Sequence, residues 1–117
     1  MNAHVRGSDL KTPDPDILNA MVRRIVEVVH PLRIILFGSA ARGEMGPDSD
    51  LDFLVVMPTG VHRRKVAITV YNALGGLGVP KDIIVVTEED IQKYRDNHSL
   101  IIAPALAEGR ELYHAFQ

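Results

Sequence analysis

Two acids, Asp50 and Asp52, stand two residues apart in the run Asp48-Ser49-Asp50-Leu51-Asp52-Phe53-Leu54-Val55. If that run is a strand, its period of two puts both carboxylates on one face, with backbones roughly 6–7 Å apart. Leu51 and Phe53 then point the other way, into a core. Paired carboxylates repel, and keeping both ionised is costly unless a cation lies between them. Mg²⁺ suits a few carboxylates together with phosphate oxygens and water. Two such ions, about 3.5–4 Å apart, activate an attacking oxygen and neutralise a leaving one. Alone, an Asp-x-Asp pair equally describes an acidic strand start beside a turn.

Upstream, Phe37-Gly38-Ser39-Ala40-Ala41-Arg42-Gly43 ends an apolar run in glycine and serine. Glycine there lets a ligand approach the backbone, and a helix start offers free N–H groups to a phosphate. The Ser39 hydroxyl adds a donor. Alone, Gly-Ser is an ordinary turn and helix cap, lacking the glycines of a Walker A loop or a dinucleotide fingerprint. Together the two runs set a phosphate cradle and a metal-binding pair on successive strands.

Other residues carry less. Arg42 fits a salt bridge to the 44–50 loop better than a phosphate contact. Arg63-Arg64-Lys65 reads as the solvated start of a helix rather than a steering patch. Tyr71, Tyr94 and Tyr113 read as core or interface residues. The five histidines have no paired zinc spacing, and the chain has no cysteine.

The elements that must position these groups follow from pattern. Asp14-Pro15 starts a helix, with a capping carboxylate before Pro at the first helical position. Ile17, Leu18, Met21, Val22, Ile25 and Val28/Val29 form its apolar stripe, and His30-Pro31 ends it. Strands are expected over 33–37, 50–57 and 81–86, with a short helix at 39–42 capped by Ser39. A helix over 62–74, with Val66, Val70, Ala73 and Leu74 inward, breaks at Gly75-Gly76. Thr87-Glu88-Glu89-Asp90 resembles a capped helix start. Helix is expected onward, with a boundary or kink near Pro104 and a stop at Gly109. The order α-β-α-β-α-β-α-α gives an α+β domain around one small sheet, whose strand order periodicity does not fix. Residues 1–13 are expected to be a flexible N-terminal tail and 14–117 a single domain.

Composition narrows the function classes. The chain has 117 residues, 46% of them hydrophobic and 24% charged, with 5% aromatic and no Trp. That is one ordinary globular domain, poor in stacking platforms for single-stranded nucleic acid. A net charge of −2 argues against general nucleic-acid coating. No stretch approaches the roughly 20 apolar residues of a membrane span, and the N-terminal residues lack a signal-peptide pattern. A cytoplasmic location is the expectation.

The combination Gly38-Ser39, Ala41-Arg42-Gly43 and Ser49-Asp50-Leu51-Asp52 resembles the signature of the nucleotidyltransferase superfamily related to DNA polymerase β. It is most similar to the minimal, single-domain MNT members, the MntA-type antitoxins. The likeness is strong over residues 32–56 and looser through Glu111-Leu112-Tyr113. It implies a palm-like fold, a small mixed β-sheet covered by helices. In that family a third carboxylate sits on a later strand, and Asp82 occupies the matching place. The resemblance implies that Asp50 and Asp52 ligate two Mg²⁺ ions. Asp82 would ligate the catalytic ion and help deprotonate the nucleophile. Gly38 and Ser39 would hold the β- and γ-phosphates of a nucleoside triphosphate. An acceptor hydroxyl would attack the α-phosphate and release pyrophosphate. No position of the core signature is missing.

About 60 residues follow Met57, and most are needed to complete the sheet and its cover. Little remains to wall an acceptor pocket. The expected acceptor is therefore a macromolecule, unless the chain makes a pocket by pairing with a second copy. The family resemblance implies a HEPN-type toxin as partner, silenced by AMP transferred from ATP to a tyrosine. Two alternatives stand beside it: a small-molecule, aminoglycoside-type adenylyltransferase, and a non-catalytic antitoxin acting by contact.

Overall fold

The computed structural model describes residues 11–94 and 102–115. Helix α1 (Pro15–Val29) opens with the Asp14 side chain accepting the Asp16 N–H at 2.9 Å. It ends where His30 turns left-handed, φ 47°, its N–H donating to the Val26 carbonyl. Leu18, Met21 and Ile25 are buried, as the stripe requires, whereas Val28 is 43% exposed. The expected tail is only partly described. Residues 1–10 lie outside the described residues, and the Lys11 carbonyl accepts the Met45 N–H at 3.0 Å.

Strand β1 (Arg33–Phe37) leads through α2 (Ser39–Arg42) to β2 (Leu51–Met57). Helix α3 (Arg63–Ala73) then crosses to β3 (Lys81–Thr87). After β3 come α4 (Glu88–Tyr94), α5 (Ile102–Glu108) and β4 (Arg110–His114). The sheet order is β3-β2-β1-β4. β1 runs antiparallel to β2 and β4, while β2 and β3 are parallel. The sheet is thus mixed, and α3 supplies the long crossover that a parallel pair needs.

Alternation along the strands builds two apolar layers. Ile34, Leu36, Leu51, Phe53, Val55 and Ile83 pack with α1, α3 and Ala40 on one face. Ile35, Leu54, Val56 and Val86 meet Ile91 of α4 and Ile102 and Ala105 of α5 on the other. Both faces are covered, so the central strands β1 and β2 read as near-continuous apolar runs.

Two expectations need correction. The final segment is not all helix, because residues 110–114 form β4 beside β1, with a register shift between Ile34 and Ile35. Arg-Glu-Leu-Tyr-His lacks a β-branched run, which an edge strand tolerates because one side faces water. Gly109 makes the turn possible: a Cβ there would collide with the Ala105 carbonyl and the Ile35 side chain. Pro104, expected at a boundary or kink, lies in the first turn of α5. A helix spends no N–H on internal bonds there. The second correction concerns α2. Its N-cap is Gly38, and no side chain caps it, so Ser39 is the first helical residue rather than the cap.

The Thr87 helix start is a reciprocal cap. The Thr87 N–H donates to Asp90 Oδ2 at 3.0 Å, and the Asp90 N–H donates to Thr87 Oγ1 at 3.1 Å. Arg63, expected to be solvated, reaches from the first turn of α3 to grip both Asp90 oxygens at 2.8 and 2.9 Å. That pairing ties α3 to α4 across the end of β3. No helix among the described residues is long and apolar enough to cross a membrane.

Candidate active site

The site lies where β1 ends and β2 and β3 begin. Antiparallel register sets Phe37 opposite Asp52, so the next residue, Gly38, arrives beside that carboxylate. Parallel register sets Asp52 opposite Asp82 on the neighbouring strand. The side chains alternate, and the burial of Leu51 and Phe53 on the far side sends Asp52 to the face shared with Leu54 and Val56.

Gly38 has φ 74° and ψ −157°, a conformation an L side chain rarely adopts. A Cβ built on it would run into Asp52 Oδ2. The turn and the carboxylate are therefore in contact, not merely near in sequence. α2 hydrogen-bonds back to this turn, since the N–H groups of Ala41 and Arg42 both donate to the Gly38 carbonyl, at 3.1 and 3.2 Å. The Ser39 and Ala40 N–H groups make no main-chain bond among the described residues. They supply the donors that a phosphate at a helix start uses.

Burial raises the Asp52 carboxyl above its ordinary range, and the negative charges of Asp82 and then Asp50 raise it further. The Arg42 guanidinium pulls the other way. Asp52 thus feels both of the acids that the sequence grouped with it. Asp50 precedes β2 rather than belonging to it, and is exposed. The two-residue period therefore does not fix its direction, contrary to the expected strand start at residue 50. Among the described residues, no three His, Asp or Glu side chains are drawn together tightly enough to enclose an ion. The chemistry of the three carboxylates fits a hard divalent cation, which prefers oxygen ligands and removes their repulsion.

Arg42 is held by Glu44 at 2.8 Å and by Glu108 at 3.5 Å. The expected salt bridge to the following loop is present, joined by one to α5. Tyr113 packs against the main core, and Lys93 lies 5.4 Å from the centre of the Tyr94 ring. Tyr71 does something the sequence did not indicate. Its hydroxyl donates to Asp82 Oδ1 at 3.3 Å and accepts the Ile83 N–H at 3.0 Å. Helical spacing marks Val70 as inward but gives no sign that its neighbour reaches around β3.

A mixed four-stranded sheet covered by helices, with a strand-end glycine closed on one of three acids, fits the α+β polymerase β-like fold. The chain matches the family model described as "Nucleotidyltransferase domain" over residues 16–106, more than half its length. It belongs to that family. Among solved structures it is similar to a candidate nucleotidyltransferase from Sulfolobus solfataricus, at a TM-score of 0.59 and 18% identity. That alignment covers 86% of this chain and 79% of the other, and at such identity it speaks for the fold. No curated protein matches the chain.

Proposed function

We propose that this nucleotidyltransferase domain is an MNT-type antitoxin that transfers AMP from ATP to a hydroxyl of a HEPN-type partner protein. The observation that carries the reading is the contact of Gly38 with Asp52, itself in register with Asp82. The Gly38 turn binds the β- and γ-phosphates through main-chain N–H groups, with Ser39 adding its hydroxyl. Asp50, Asp52 and Asp82 would hold two Mg²⁺ ions, which when bound supply charge neutralisation on the triphosphate and the departing pyrophosphate. Asp82 accepts the proton of the incoming hydroxyl. Little covalent work falls to the protein, so orientation and charge do most of it.

Two cavities among the described residues lie apart from the proposed site. One of about 220 Å³ is lined by Thr12, Leu18, Asn19 and Arg110, among others, and one of about 170 Å³ by Arg33, Ile91, Gln92 and His114. Neither has Gly38, Asp50, Asp52 or Asp82 in its wall. An acceptor that brings its own surface suits a site at the open end of a sheet.

The test is to incubate the chain with ATP, Mg²⁺ and the product of the neighbouring reading frame, then weigh both proteins. The expected result is one AMP of added mass on the partner, absent with Asp52→Asn. A partner that gains no mass, yet stays inhibited by the Asp52→Asn chain, would make contact rather than modification the means of neutralisation. Transfer to an aminoglycoside in place of the partner would assign a small-molecule acceptor.

A further inference from the structure

Tyr71 sits on α3, which packs with α1 against the face of the sheet opposite to Asp52 and Leu54. β3 is the edge strand on that side. The phenol is 39% exposed and reaches its hydroxyl to the outer margin of β3, to the junction of Asp82 and Ile83. Two bonds of fixed polarity meet there. The Ile83 N–H donates to the phenol oxygen, which commits the phenol's own proton to Asp82 Oδ1. Among the described residues, no other hydrogen bond reaches the Asp82 carboxylate.

From this geometry we infer that Tyr71 is a positioning residue, a latch that orients the Asp82 carboxylate for divalent-cation binding. The inference rests on the proposed reading of Asp82 as a metal ligand. Asp82 is exposed and lies one residue inside an edge strand, so without a partner its side chain has several staggered orientations to choose from. A single hydrogen bond to one carboxylate oxygen selects among them. The ring is anchored through the backbone of the next residue, so the latch moves with the strand it serves. Hydrogen-bond partners of ligating carboxylates orient the ligand, and losing one weakens metal binding by about 10- to 100-fold.

The test measures Mn²⁺ alone, titrated into the chain and followed by electron paramagnetic resonance, with no nucleotide present. Four proteins are compared: wild type, Tyr71→Phe, Asp82→Asn and the double variant. Melting curves without metal check that each is folded, and removing one oxygen from a half-exposed ring leaves the core untouched. Tyr71→Phe is expected to weaken Mn²⁺ binding about 10-fold. In the Asp82→Asn background the same change is expected to have no further effect, because a residue acting through Asp82 has nothing left to act on. Equal affinity of wild type and Tyr71→Phe overturns the latch, as does an additive loss in the double variant. Wild-type chain that holds no Mn²⁺, or holds it equally well with Asp82→Asn, overturns the metal reading of Asp82 and the latch with it.

Discussion

Gly38 and Asp52 lie so close that a Cβ on the glycine would meet Asp52 Oδ2 unless that side chain moved aside. The antiparallel register of β1 and β2 brings them together, because Phe37 pairs with Asp52 and the chain then turns at φ 74°. The strand-end turn and the Asp52 carboxylate are thereby one structural unit.

Gly38→Ala should damage both stability and activity. The new methyl meets the carboxylate, and the backbone conformation disfavours any L side chain, a cost of about 1–3 kcal/mol. The expected outcome is a lower melting temperature together with nucleotide binding too weak to measure calorimetrically. A variant that binds ATP like wild type would show that the turn has room to spare.

Asp52→Asn should separate activity from stability. Transfer should fall by more than about 100-fold, the scale of losing one group that stabilises transition-state charge. Stability should move the other way. The folded-state Asp52 carboxyl titrates above its ordinary range, through burial and then Asp82 and Asp50. Its contribution to stability is therefore complete below the ordinary value, about 3.9, and is lost as pH rises through the higher folded value. At neutral pH the ionised group weakens the metal-free fold, so the neutral amide should melt higher in EDTA. A lower melting point for Asp52→Asn would contradict this.

Mg²⁺ should stabilise the wild-type chain by mass action, about 2.7 kcal/mol at a hundred times its dissociation constant. Differential scanning fluorimetry with and without EDTA measures it. The shift should shrink in Asp50→Asn and vanish in Asp52→Asn. An identical shift in all three proteins would mean that the ion binds elsewhere.

Asp90 should govern acid sensitivity at the other end of β3. Burial alone would raise its carboxyl, but the Thr87 N–H and the Arg63 guanidinium more than offset that and hold it below the usual range. A depressed carboxyl stabilises above its unfolded value, about 3.9, and that stability drains away as pH falls towards the folded value. Asp90→Ala should cost about 1–2 kcal/mol at pH 7, the usual worth of a lost cap. Its melting temperature should also vary less than that of wild type between pH 5 and about 3. An unchanged acid profile would show that the cap contributes little.

How much was legible depended on whether a feature is local. The cap at Asp14, the helix end at His30-Pro31 and the apolar runs of β1 to β3 are read within a few residues, and each formed as expected. β4 was hidden, because Arg110–His114 is a strand only by virtue of its neighbour β1. Ser39 was misread as a cap because Gly38, in an unusual conformation, takes that place.

The sequence alone singled out the candidate residues for chemistry. Gly38, Asp50 and Asp52 are close along the chain, and their types and spacing restrict what they can do. Only tertiary structure decided that Asp82 comes into register with Asp52, that Asp50 stays outside the ladder, and that Tyr71 and Arg63 reach across to acids 11 and 27 residues away. Hydrophobic periodicity specifies which face of an element is buried. It does not specify strand order or which elements become neighbours, and the electrostatics of this site follow from those neighbours.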